Sequence, residues 1–110
     1  MKEIKAFVKP FKVNDILNQL LLAGFPNITV SMAEGTGHFN SDDSSISTHF
    51  SITDSKVAKI EIVCDENDVE KIIEIISLKG RTGNPGDGII CVSEIEKVYK
   101  VKTGKENEED

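Results

Sequence analysis

The stretch KEIKAFVKPFKVNDILNQLLLAG, residues 2–24, predicts a β-strand that leads directly into an α-helix. Its first residues alternate between two sets of side chains, as a strand with one buried face requires. The apolar set is Ile4, Ala6 and Val8, and the opposite set is Glu3, Lys5 and Phe7. Pro10 ends the strand, and apolar residues then follow helical spacing up to Gly24, a typical residue after a helix C-terminus. The helical apolar positions are Val13, Ile16, Leu17, Leu20 and Leu21.

The rest of the chain adds three more strands and a second helix. Apolar alternation after Pro26 predicts the second strand, and residues 56–64 (KVAKIEIVC) predict the third. Apolar residues at helical spacing then predict a helix that ends at Gly80. They are Val69, Ile72, Ile73 and Ile76. Residues 89–95 predict a fourth long strand, and residues 97–102 a short fifth one.

The resulting order β-α-β-β-α-β predicts an α+β ferredoxin-like sandwich, in which two helices cover one face of an antiparallel sheet. The other face would still carry apolar side chains, so we expect a homo-oligomer whose sheets face inward. Residues 1–110 are predicted as one domain, with a long loop at 36–55 and an acidic tail at 103–110. The loop is rich in Gly, Ser, Thr, Asn and Asp, and loops of this length in small domains are commonly functional or disordered.

The composition narrows the classes of function. The net charge is −6, with 19 acidic and 13 basic residues, which argues against nucleic-acid binding because that requires a basic face. Cys64 and Cys91 lie in apolar runs without a CxxC motif, so we expect two buried strand residues, not a disulfide or a metal site. No segment approaches the roughly 18 apolar residues of a membrane span, and no signal peptide is apparent. We therefore expect a cytoplasmic protein without direct membrane insertion.

Residues 82–88, TGNPGDG, form a glycine-rich loop between the second helix and the fourth strand. Glycines allow positive φ and close backbone approach, so successive N–H groups can surround an anion such as phosphate. Asn-Pro and Asp-Gly are also common turn chemistry. The loop is therefore either a phosphate-binding loop or an ordinary turn between a helix and a strand.

Several fragments of the chain resemble the PII family of signalling proteins, and they occur in the family's order. KEIKAFVKPFKVNDIL (2–17) is similar to its first strand and the entry to its first helix, and KIEIV (59–63) to its third strand. TGNPGDGII (82–90) resembles its Thr-Gly-x-x-Gly-Asp-Gly-Lys-Ile segment. VYKVKTGKENEE (98–109) resembles the segment that ends in Arg-x-Arg-Thr-Gly-Glu. The match fails mainly between residues 36 and 56, where the family carries its mobile T-loop.

This resemblance implies a homotrimer that binds ATP or ADP, with or without Mg²⁺, in clefts between subunits. It also implies that the long loop docks on a partner, such as a membrane transporter or an enzyme. The chain would then be a binding and signalling module and not itself an enzyme. Nine residues match positions of the family's nucleotide site. They are Thr29, Gly35, Gly37, Thr82, Gly86, Asp87, Gly88, Lys100 and Lys102.

The chain departs from the family pattern at several of the expected ligand contacts. Ile89 stands where a lysine that touches phosphate is expected, and His38 and Phe39 replace a basic residue and a glutamine. Lys100 and Lys102 replace two arginines, which keeps the charge but loses the bidentate fork. Both lysines are expected to project from one face of the fifth strand.

The main alternative is a degenerate PII-fold protein that has lost nucleotide binding. It would sense a small anion or a metal ion, or act only as an interaction module. His38 and His49, with Asp42 and Asp43, are the candidate metal ligands, although their spacing fits no recognised pattern. A second alternative is a small ferredoxin-like enzyme or metal-tolerance protein of similar trimeric architecture, for which the sequence offers no convincing catalytic set.

Overall fold

The computed structural model describes residues 1–35 and 56–106. In chain order, the elements are β1 (Lys2–Val8), α1 (Val13–Leu22), β2 (Thr29–Glu34), β3 (Lys56–Cys64), α2 (Val69–Gly80) and β4 (Gly88–Glu94). A short 3₁₀ turn precedes each helix, at Pro10–Lys12 and at Glu66–Asp68. The order β-α-β-β-α-β is thus confirmed, while the predicted long loop at 36–55 lies outside the described residues.

The four strands form one antiparallel sheet in the order β2-β3-β1-β4. Ala6 in β1 lies opposite Ile60 of β3 on one side and Ile90 of β4 on the other. β2 pairs with the far side of β3, where Met32 lies opposite Ala58. This strand order, with a helix in each crossover, is the ferredoxin-like arrangement, so the predicted fold class is confirmed.

The hydrophobic core lies between one face of the sheet and the two helices. The alternation seen in β1 reflects burial, since Ile4, Ala6 and Val8 are all buried. The largest fully buried side chains are Ile4, Ile16, Leu20, Ile60, Ile72 and Ile76. Burial of one such side chain stabilises the fold by about 1.5–3 kcal/mol. Among the described residues, no helix combines the length and the apolar character needed to cross a membrane.

The opposite face of the sheet carries a mixture of charged and apolar side chains. One row across the four strands contains Thr29, Glu61, Lys5 and Cys91. Lys59 Nζ lies 3.7 Å from Glu61 Oε1 on this face. Cys64 is buried as expected, but Cys91 is exposed. The expectation that both cysteines are buried is wrong for Cys91 in the single chain, because β4 is an edge strand and no residue in 1–35 or 56–106 covers this side of it.

The predicted fifth strand over 97–102 is also wrong. Tyr99 forms only an isolated bridge with Glu106 in this part of the chain. The N–H of Lys100 donates to the carbonyl of Lys105 at 2.9 Å, and the N–H of Gly104 donates to the carbonyl of Lys100 at 2.8 Å. The chain therefore reverses its direction after Lys100, with Gly104 at a φ of +67°.

Candidate functional site

The loop at 82–88 is built around a tight turn. Pro85 and Gly86 occupy the turn, and Gly86 has a φ of +85°. Proline in the second position and a residue of positive φ in the third are the signature of a type II β-turn. The Asn-Pro-Gly-Asp sequence therefore matches the backbone geometry that this turn requires.

The carboxylate of Asp87 is the centre of the loop. Its Oδ2 accepts hydrogen bonds from the N–H of Thr82 at 2.8 Å and from the N–H of Gly83 at 3.2 Å. Its Oδ1 accepts a short bond of 2.5 Å from the Thr82 hydroxyl. The Thr82 hydroxyl oxygen accepts in turn from the N–H of Asn84 at 3.1 Å. The first N–H groups of the loop therefore point inward at a carboxylate of the same loop.

Lys9 provides the positive charge beside this carboxylate. Its Nζ lies 3.2 Å from Asp87 Oδ1 and donates to Thr82 Oγ1 at 3.2 Å. The contact arises because β1 and β4 are neighbours, with Val8 opposite Gly88, so the end of β1 lies beside the start of β4. Lys9 has no role among the sequence predictions, although it belongs to the Lys-Pro-Phe-Lys fragment. The feature that could have identified Lys9 is its position at the end of β1, the strand that pairs with β4.

The loop sets the protonation of Asp87. Partial burial by itself raises the pKa of this carboxyl, but the hydrogen bonds from the Thr82 hydroxyl and N–H, from Lys9 and from the Gly83 N–H outweigh it. Together they lower the pKa to about 2, from an ordinary value of 3.8. Asp87 is therefore an ion near neutral pH and neutralises Lys9.

A glycine is required at position 88 because β1 and β4 approach each other closely there. Its φ is +110°, and a Cβ atom at this position would lie 1.7 Å from the carbonyl oxygen of Phe7. No side chain can be accommodated at that distance. The second glycine of Gly-Asp-Gly thus has a structural cause that is independent of any ligand.

A cleft of about 220 Å³ lies next to the loop, between the end of α2 and the start of β4. Its lining is mostly apolar and includes Ile76, Gly80 and Ile90, with Arg81 and Asp87 as its charged residues. The Arg81 guanidinium is anchored to the last turn of α2, where Nε donates to the Ser77 carbonyl at 3.1 Å and Nη2 to the Ser77 hydroxyl at 3.0 Å. Like Lys9, Arg81 is a cation near the loop that is not among the predicted site residues.

The predicted site residues fall into three groups. Thr82, Gly86, Asp87 and Gly88 lie together in the loop. Thr29 and Gly35 lie at the start and just beyond the end of β2, which is the opposite edge of the sheet from β4. Three strand spacings separate these edges, roughly 14 Å. Gly35 is at the same end of the sheet as the loop, because Glu34 pairs with Lys56 and Val8 pairs with both Ala58 and Gly88. Gly37 lies outside the described residues.

Lys100 and Lys102 form the third group. Lys100 begins the chain reversal and is partly buried, and Lys102 is exposed within the reversal. The expectation that they project from one face of a strand is wrong, since no strand forms there. Within residues 1–35 and 56–106, no three His, Cys, Asp or Glu side chains are grouped so that they could hold a metal ion. The candidate ligands His38, Asp42, Asp43 and His49 lie outside the described residues.

Known proteins match this chain over nearly its whole length. Residues 1–105 match the family of the nitrogen regulatory protein P-II. A relative of that name from Nostoc punctiforme is 33% identical over 110 residues, which is 99% of this chain and 98% of the relative. The corresponding protein of Pyropia yezoensis is 36% identical over 108 residues, 97% of this chain and 96% of the relative. That of Mesorhizobium japonicum is 37% identical over 106 residues, 96% and 95% of the two chains.

These matches include both the fold-forming strands and the loop at 82–88. They agree with the observed sheet order and with the resemblance seen in the sequence. The chain belongs to the nitrogen regulatory protein P-II family.

Proposed function

We propose that this chain is a cytoplasmic regulatory protein that binds an adenine nucleotide in clefts between the subunits of a homotrimer. Nucleotide binding would alter the segment 36–55 and so control a partner, a membrane transporter or an enzyme. The chain itself would carry out no catalysis. The observation that carries this proposal is the internally hydrogen-bonded loop Thr82–Gly88, which lies at the same end of the sheet as Gly35.

The arrangement of the sheet supports a site made by two subunits. Gly35 and the loop belong to opposite edge strands, so one chain alone places them roughly 14 Å apart. A rotation axis that brings the β2 edge of one subunit to the β4 edge of the next would place them together. The same arrangement of subunits would cover the sheet face that carries both charged and apolar side chains. In the single chain, this face exposes Cys91, Ile89 and Val63.

The charges near the loop support weak to moderate binding. Lys9 is neutralised by Asp87, and position 89 is an isoleucine that is 43% exposed. The lysines proposed to attract the phosphates are Lys100 and Lys102, which would come from a neighbouring subunit, and Arg81 lines the cleft beside the loop. An adenine nucleotide would thus rely on the backbone of Gly86–Gly88 and on two lysines without a bidentate fork.

Calorimetric titration with ATP, ADP and AMP, each with and without Mg²⁺, tests this proposal. Binding tighter than about 1 mM, near −4 kcal/mol, is expected for at least one of them. A Lys100→Ala/Lys102→Ala variant is expected to bind about tenfold more weakly, because two charges on the phosphates are lost. The matched control is Lys71→Ala/Lys79→Ala, which removes the same charge from exposed positions of α2. No binding of any nucleotide by the unmodified chain would refute the proposal.

The inward-facing carboxylate of Asp87 favours a second candidate, a family member that has lost nucleotide binding. The N–H groups of Thr82 and Gly83 already donate to the Asp87 carboxylate, so neither is free to donate to a phosphate. Such a protein would sense a small anion or a metal ion, or serve only as an interaction module. Titrations with bicarbonate, phosphate, Zn²⁺ and Cu²⁺ distinguish it from the first proposal if the nucleotides give no heat.

A further inference from the structure

Lys9, Thr82 and Asp87 form a small cluster that joins the end of β1 to the loop. Lys9 and Thr82 are 73 residues apart in the sequence, yet Lys9 Nζ reaches both Thr82 Oγ1 and Asp87 Oδ1 at 3.2 Å. The side chains of Lys9 and Asp87 are 16% and 27% exposed. An ion pair with this much shielding from water is more strongly coupled than one on the open surface.

The cluster uses its charges and donors internally. Asp87 accepts from Thr82 and Gly83, and Lys9 is paired with Asp87. Arg81, the other cation near the loop, is held by Ser77. An anion that approaches the loop would therefore meet a pre-shaped backbone beside a neutral Lys9–Asp87 pair instead of a free ammonium group, with the guanidinium charge of Arg81 next to them. This points to a role in shape and not in direct charge attraction.

We propose that Lys9 and Asp87 are positioning residues, which together fix Thr82–Gly88 in the shape that receives the phosphates without touching them. This inference rests on the proposed nucleotide binding and adds to it the source of the loop's order. A loop that is already ordered loses little conformational entropy when a ligand binds, so the pair would strengthen binding indirectly. The hydrogen bonds from the N–H and the hydroxyl of Thr82 and the lowered pKa of Asp87 agree with a firmly held carboxylate.

The test is a double-mutant cycle of Lys9→Met and Asp87→Asn, read by calorimetry with the nucleotide that binds the unmodified chain. Each single variant is expected to bind about tenfold more weakly, and the double variant no more weakly than the worse single one, because both remove the same constraint. Lys9→Arg, which keeps the charge, should retain most of the affinity. The matched control is Lys2→Met, which removes an ion-paired lysine (partner Glu94) at the other end of β1 and should leave the affinity unchanged.

Three results would overturn the inference. Tighter binding by Asp87→Asn would mean that Asp87 competes with the phosphate for the loop donors. Additive losses in the double variant would mean that Lys9 contacts the nucleotide directly. Unchanged affinity in both single variants would remove the pair from the function of the loop.

Amide hydrogen exchange separates a failure of this inference from a failure of the proposed function. The Thr82 and Gly83 amides should exchange slowly in the unmodified chain, about tenfold faster in Lys9→Met, and unchanged in Lys2→Met. If no nucleotide binds, the proposed function fails, and these exchange rates alone decide whether Lys9 orders the loop. Equal exchange in all three proteins would refute that ordering role.

Discussion

Replacement of Gly88 by alanine is expected to break the junction between the loop and β4. The added Cβ would lie 1.7 Å from the carbonyl oxygen and 2.8 Å from the carbonyl carbon of Phe7. To relieve this contact, β1 and β4 must separate by more than about 1 Å at their shared end. The φ of +110° adds strain for any residue with a side chain, about 1–2 kcal/mol. With the loss of one or two strand hydrogen bonds, the expected destabilisation is about 3–5 kcal/mol.

Gly83 provides the matched control for this prediction. It also has a positive φ, +85°, but a Cβ there would meet nothing within 4 Å. Gly83→Ala should therefore cost only about 1 kcal/mol, from backbone strain alone. Urea unfolding followed by circular dichroism measures both variants, at one protein concentration because the stability of an oligomer depends on it. Equal losses in the two variants, within about 0.5 kcal/mol, would refute the argument that the approach of Phe7 dictates this glycine.

Two further predictions concern the core and the acid range. Ile72→Ala should lower the free energy of unfolding by about 2–5 kcal/mol because Ile72 is fully buried, whereas Leu78→Ala on the same helix, 58% exposed, should change it by less than about 0.5 kcal/mol in the same urea assay. Asp87→Asn should cost about 1–2 kcal/mol at pH 6, and most of this difference from the unmodified chain should disappear between pH 4 and pH 2. The sign follows from the pKa of Asp87, which is about 2 in the folded state against an ordinary 3.8, so its stabilising charge is lost as the pH falls through this window. A difference that stays constant from pH 6 to pH 2 would contradict the assignment.

The order of strands and helices could be predicted because each element buries one side against the same core. Ile4, Ala6 and Val8 occupy every second position of β1 because the side of the strand on which they lie is buried. The segment 97–102 alternates in the same way but forms no strand. Alternation indicates a strand only where a neighbouring strand is available, and the hydrogen bond from Gly104 to Lys100 reverses the chain instead. Cys91 shows a related limit, because an apolar run does not reveal which strand lies at an uncovered edge.

The position of the glycine-rich loop between the second helix and the fourth strand could be predicted, but its internal contacts could not. The Gly-Asp-Gly sequence indicated a loop of special backbone geometry, and the positive φ values of Gly86 and Gly88 agree with that. It did not indicate that Asp87 would fill the first donors of the loop or that Lys9 would pair with it. Those contacts depend on the pairing of β1 with β4, which joins residues far apart in the sequence.

Several residues of the loop motif are required by the fold itself, and this limits what the motif indicates about function. Gly88 is fixed by the carbonyl of Phe7, Gly86 by a type II turn, and Asp87 by the N–H groups of Thr82 and Gly83. Each of these requirements belongs to the folded chain and would persist if the phosphate contacts were lost. Family membership follows from the fold and the full-length matches, whereas the proposed nucleotide binding also needs residues outside these requirements, Lys100 and Lys102. The comparison of Lys100→Ala/Lys102→Ala with its α2 control is therefore a sharper measure of function than the loop motif itself.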